Sequence, residues 1–125
     1  MEYAVTVRPA CAEDTSFLYA LYTSTRAAEL ALVDWGAAQQ AAFLTMQFTA
    51  QERYYRTVYA DAERRIILVN DHPVGRMDVE RQPCVILLMG FVLLPEYRGR
   101  GIGSHVLRAL LDEAARAGTS VRLHV

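Results

Sequence analysis

Residues 84–94 read CVILLMGFVLL, an almost uninterrupted apolar run, and a glycine-rich turn and an amphipathic pattern follow it. A strand that is apolar at successive positions has to be covered on both faces, so this run predicts a central strand. The turn is Arg98-Gly99-Arg100-Gly101-Ile102-Gly103. After it, Ile102, Val106, Leu107, Leu110, Leu111 and Ala114 fall on one helical stripe, and Gly118 stands where a left-handed C-terminal residue would end the helix. Ser120–Val125 alternates apolar and polar residues as a last strand. A single crossover helix between two strands makes them parallel neighbours.

The remaining elements fill in around this unit. Tyr3–Arg8 alternates and stops at Pro9, which predicts a first strand. Glu13 and Asp14 precede a helical stripe carrying Phe17, Leu18, Leu21 and Tyr22 over roughly Thr15–Leu32. Asp34-Trp35-Gly36 interrupts it, and a second helix is expected over Ala37–Tyr59. Arg65–Val69 and Val74–Glu80 read as strands of a hairpin joined at Asn70-Asp71-His72-Pro73. The order β-α-α-β-β-β-α-β predicts an α/β (α+β) fold, a mixed central sheet with helices on both faces. At 125 residues the expectation is a single domain, 1–125.

Charge and composition narrow the functions open to such a chain. The net charge is −1, and all 13 basic residues are arginines without a basic run, so no nucleic-acid partner is expected. No apolar stretch reaches the ~20 residues of a membrane span, and MEYAVTVRPA lacks the pattern of a secretion signal, so no membrane partner and a cytoplasmic location are expected. Cys11 and Cys84 are far apart and lack metal-ligand spacing, which predicts reduced thiols and no metal site.

The turn carries the chemistry. The first N–H groups of a helix have no internal acceptor, and the helix dipole adds partial positive charge there. Glycines let backbone approach a phosphate, and Arg98 and Arg100 add charge-assisted donors. Arg98, Gly99, Arg100, Gly101, Ile102, Gly103 and Ser104 are therefore the candidate site for a phosphorylated ligand. The motif is not a P-loop, because no Gly-Lys-Ser/Thr completes it, and the dinucleotide fingerprint would need glycine at Ser104.

Arg98-x-x-Gly101-x-Gly103, after a strand that runs out through Val92-Leu93-Leu94-Pro95-Glu96-Tyr97, resembles the acetyl-CoA-binding motif of the GNAT family of N-acetyltransferases. Arg8-Pro9-Ala10, Pro73-Val74-Gly75-Arg76 and Val121–Val125 also fit the family, and the element order is the family's through its fifth strand. The resemblance implies that the loop wraps the pyrophosphate of acetyl-CoA, the co-substrate. It implies that Phe91, Val92 and Leu93 contact the pantetheine arm where the fourth and fifth strands splay, and that a backbone N–H there polarises the thioester carbonyl. It further implies direct attack by an amine, from a small molecule or a peptide, with no covalent enzyme intermediate.

Relatives often carry a carboxylate on the fourth strand to accept the amine proton, and Leu87–Phe91 has none. Asp78 and Glu80 share one face of the neighbouring strand and are the substitutes, although such residues are ordinarily solvated strand charges. Tyr54, Tyr55 and His124 are weaker candidates for acid–base work. Gln47, Gln51, Tyr54 and Tyr55 recur at helical spacing on the second helix and are candidates to line the acceptor pocket. Cys84 is expected to begin a buried strand, away from any activating histidine.

The family's C-terminal helix and hairpin, and the tyrosine acid they carry, have no counterpart before Val125. The alternative to an N-acetyltransferase is therefore a CoA-binding module without transfer activity, or a partner-dependent fragment. The same feature predicts an open fifth-strand edge and a homo-oligomer formed through it.

Overall fold

The computed structural model describes residues 4–123. Two compact units make it up: one combines the segment ending at Cys11 with the segment starting at Asp61, and the other is Ala12–Ala60.

The first unit is a five-stranded sheet with one helix. Its strands are β1 (Val5–Pro9), β2 (Glu63–Val69), β3 (His72–Arg81), β4 (Val85–Leu93) and β5 (Ser120–Leu123), ordered β1-β2-β3-β4-β5. The first four pair antiparallel, and β5 joins β4 in parallel through α3 (Ile102–Ala117). The mixed sheet and the element order are those expected. Tyr3, His124 and Val125 lie outside the described residues.

Several boundaries move for identifiable reasons. Pro9 ends β1 inside the strand; β1 is an edge, where a missing N–H costs no ladder bond. β2 starts two residues early because Glu63 and Arg64 pair in register with Val79 and Asp78. The hairpin turn is only Asn70-Asp71, both at positive φ (49° and 68°), so His72 and Pro73 already belong to β3. Two-residue turns of this kind match the twist of the flanking strands. Cys84 precedes β4 and is exposed, which corrects the expectation that it begins a buried strand.

The core lies between one sheet face and α3. Ile67, Val69, Met77, Val79, Ile86, Leu88 and Leu93 meet Ile102, Val106, Leu110 and Ala114. The buried stripe of α3 is narrower than its apolar pattern: Leu107 and Leu111 remain 37% and 48% exposed, so they lie outside the core. The helix ends at Gly118 with φ 69°, and the N–H of Thr119 reaches back to the Ala114 carbonyl at 2.8 Å. Arg81 ties the end of β3 to both neighbours. Its Nε and Nη2 donate to Glu113 of α3 at 2.6 and 2.9 Å, and its Nη1 lies 2.7 Å from Glu63 of β2. Those hydrogen bonds hold the Glu113 carboxyl below the usual carboxylate range, against the opposing effect of desolvation.

The second unit is a helical hairpin, α1 (Thr15–Leu30) and α2 (Ala37–Val58). The last turn of α1 tightens, with Leu32 N–H bonded to Glu29, so the helix closes two residues before its apolar pattern does. Tyr19 packs edge-on against Phe48 at 5.4 Å, and Trp35 packs against Phe43 at 5.2 Å.

Candidate functional site

The end of β4 and the start of α3 enclose the loop singled out by sequence. Leu94 N–H bonds to the Val74 carbonyl at 2.8 Å, and Pro95–Tyr97 makes one 3₁₀ turn. Proline suits the start of such a turn because no N–H is required there. The chain then needs two left-handed residues, and both are glycine: Gly99 at φ 72° and Gly101 at φ 81°. No neighbouring atom lies within 4 Å of a Cβ built at either. Conformation, not space, is therefore what selects glycine at these two positions.

The first backbone bond of α3 runs from His105 N–H to the Gly101 carbonyl at 3.0 Å. The N–H groups of Ile102, Gly103 and Ser104 precede it and have no intrahelical acceptor. Gly103 has no positive φ, and a Cβ there would stand 3.5 Å from the Phe91 ring, in ordinary contact. Arg98 folds its Nε back onto the Leu93 carbonyl at 3.2 Å and so ties the loop to the strand end. Arg100 stacks its guanidinium over the Tyr97 ring at 5.8 Å. Arg100, Gly101 and Ile102 also border a cleft of about 160 Å³ with Val5 and His105.

A β-bulge at Met89 sets the end of β4 apart. Asp78 pairs with Gly90 and Val79 with Leu88, so Met89 is the extra residue. The parallel ladder with β5 runs from Val85↔Ser120 to Leu88↔Leu123, on the near side of the bulge. Beyond it Phe91, Val92 and Leu93 pair with Met77, Arg76 and Gly75 of β3. In an antiparallel pair alternate residues turn their backbone groups away from the partner strand. Groups on β4 at this level therefore face the side where β5 is no longer paired among the described residues.

Asp78 is not a solvated strand charge. It is 1% exposed and lies between two arginines: Arg64 Nε donates to Oδ1 at 2.8 Å, and Arg76 Nη1 donates to Oδ2. Sequence reasoning paired neither arginine with Asp78, although Arg76 stands two residues before it on the same strand face. Glu80 is half buried and accepts from Gln82 Nε2 at 2.6 Å. Among the described residues, no three His, Cys, Asp or Glu side chains gather as metal ligands.

The four α2 candidates are placed differently from one another. Gln47 accepts a hydrogen bond from the Tyr22 hydroxyl at 3.1 Å, Gln51 is exposed, and Tyr54 is 60% exposed. Tyr55 is half buried with its ring 5.5 Å from that of Tyr59. A cavity of about 430 Å³ in this unit is bordered instead by Thr23, Ser24, Leu30, Gln40 and Leu44.

A bulged fourth strand, a left-handed glycine turn and the N-terminus of α3 stand together in this α/β unit. Residues 18–125 match the Acetyltransferase (GNAT) family, and the chain belongs to that family. Solved structures agree in fold. The PaiA N-acetyltransferase of Thermoplasma acidophilum, in complex with coenzyme A, is 15% identical with a TM-score of 0.64, over 98% of this chain and 79% of that one. A possible acetyltransferase from Clostridium difficile 630 is 15% identical with a TM-score of 0.60, over 97% and 79% of the two chains. Arabidopsis thaliana Naa50, in complex with the bisubstrate analogue CoA-Ac-MVNAL, is 22% identical with a TM-score of 0.58, over 98% and 72%. No curated protein matches the chain. Among the described residues no helix is long and apolar enough to cross a membrane.

Proposed function

We propose that this protein transfers the acetyl group of acetyl-CoA to an amine by direct attack. The observation that carries the reading is the loop. Gly99 and Gly101 take the left-handed conformation that turns the chain onto the N-terminus of α3, immediately beyond the bulged end of β4. The N–H groups of Ile102, Gly103 and Ser104 suit the CoA pyrophosphate, with Arg98 and Arg100 flanking them. The β4 backbone at Phe91–Leu93 suits the pantetheine arm and the thioester carbonyl. Acetyl-CoA supplies an activated acyl group with a thiolate leaving group.

In the reaction the amine nitrogen bonds to the carbonyl carbon, the C–S bond breaks, and its electron pair leaves on the CoA sulfur. The proton lost from the amine goes to Glu80, directly or through water. Asp78 is the poorer base, because both of its oxygens already accept from arginines. The acceptor is a small-molecule or peptide amine, and the setting is the cytoplasm.

Calorimetry with CoA tests the loop, and release of free thiol from acetyl-CoA with a panel of amines tests the transfer. Glu80→Gln lowers the rate at neutral pH if Glu80 takes the proton; an unchanged pH–rate profile would mean that the base is another group or solvent. CoA binding without thiol release for any amine would leave a CoA-binding module in place of an enzyme. Absence of CoA binding would refute the site.

A further inference from the structure

Arg76 holds a position that the transfer reaction, as described, does not use. It lies on β3 opposite Val92 and shares a strand face with Asp78, which lies opposite Gly90. Gly90 has no side chain to fill the space above the β4 backbone, and the arginine enters that space. A Cβ built on Gly90 would stand 3.2 Å from Arg76 Nη1 and 2.7 Å from Asp78 Oδ2. The guanidinium therefore leans over β4 at the bulge, next to the strand segment assigned to the thioester.

The way Asp78 divides its oxygens is informative. Arg64 gives Asp78 its Nε, and Arg76 gives only Nη1. In a guanidinium, Nε–H and one N–H of Nη2 form a pair of parallel donors, the edge that grips a carboxylate through both oxygens. On Arg76 that edge has no partner among the described residues. The side chain is 23% exposed, against 2% for Asp78. A half-sheltered cation of this kind binds an anion more strongly than one in open water.

We propose that Arg76 grips a carboxylate of the acceptor, so that the substrates are amines carrying a carboxylate a few bonds from the nucleophilic nitrogen, as amino acids do. The inference rests on the reading of the loop and β4 as the acetyl-CoA site. Strands are about 4.8 Å apart, so an anion on the paired edge of the Arg76 guanidinium, beside the Asp78 contact that fills the space over Gly90, lies roughly one to two strand spacings from the outer side of β4. One to a few carbon atoms span that gap. Asp78 holds the Nη1 side of the guanidinium and leaves the paired edge for the ligand.

The test is binding to the CoA-loaded protein, measured by calorimetry with amino acids, their carboxamides and 2-aminoethyl phosphate. A bidentate, charge-assisted contact predicts roughly 10- to 100-fold tighter binding for the best carboxylate than for its own amide. Arg76→Lys keeps a positive charge beside Asp78 but removes the paired donors, and the carboxylate-to-amide ratio should fall to about twofold or less. CoA affinity and melting temperature of the variant are measured alongside. Equal binding of carboxylates and amides by the unaltered protein, which needs no variant, overturns the proposal. So does an undiminished ratio in Arg76→Lys, and tighter binding of the phosphate assigns the contact to another anion. If CoA itself does not bind, the loop assignment falls, and the inference with it.

Discussion

Gly101→Ala separates backbone conformation from everything else in the loop. Gly101 sits at φ 81° and ψ 3°, and a Cβ there would meet no atom within 4 Å. Steric crowding with neighbours contributes nothing, so the cost is that of holding an L-residue in the left-handed region, about 1–2 kcal/mol. With an unfolding entropy of ~2.1 cal/mol/K per residue, that loss lowers the melting temperature of a 125-residue chain by about 4–8 °C. Gly103→Ala is the matched control. Gly103 lies in the first turn of α3 without a positive φ, and its Cβ would rest 3.5 Å from the Phe91 ring. Alanine there raises stability by up to about 0.5–1 kcal/mol, as in any helix. Thermal unfolding followed by far-ultraviolet circular dichroism reads both variants. An unchanged midpoint for Gly101→Ala, or an equal fall for both, would refute the assignment of Gly101 as a conformational requirement. Calorimetry with CoA then completes the comparison. Gly101→Ala should weaken binding beyond what its lost stability explains, because the turn sets the direction of the α3 N–H groups.

Gly75→Ala should destabilise by about 1–3 kcal/mol or more in urea unfolding, because its Cβ would press on the Val92 carbonyl oxygen and stand 2.7 Å from Leu93 Cδ2. Wild-type stability in that variant would show that β3 and β4 can part locally. Asp78→Asn leaves Arg64 and Arg76 without their shared charge and should cost about 3 kcal/mol in the same assay; a neutral result would mean that water reaches the cluster. Glu113 has a lowered pKa, so its contribution is fully present above its ordinary value of 4.5 and is lost as pH falls through the lower folded value. Stability should therefore drop on acidification below about pH 4.5, the drop should be smaller in Glu113→Gln, and salt should shrink the difference because both partners are partly exposed. Identical acid limbs in a pH series of melting temperatures would rule that pair out as a cause.

Local physics made much of this protein legible from residues alone. The glycine turn, the helix behind it and the parallel return strand follow from the 84–125 pattern, because left-handed turns and apolar stripes are properties of short segments. Asn70-Asp71 announced its hairpin for the same reason. What tertiary structure decided is which side chains share a sheet face across strands distant in sequence. Arg64 and Asp78 are 14 residues apart, and only the β2–β3 register sets them opposite each other and turns an apparent surface charge into a buried ion pair. The bulge at Met89 leaves no mark in an apolar run, because it is a mismatch between two strands and not a property of one. Leu107 and Leu111 look like core on a helical wheel, yet α3 meets the sheet along a line too narrow to include them, a limit set by what the helix packs against.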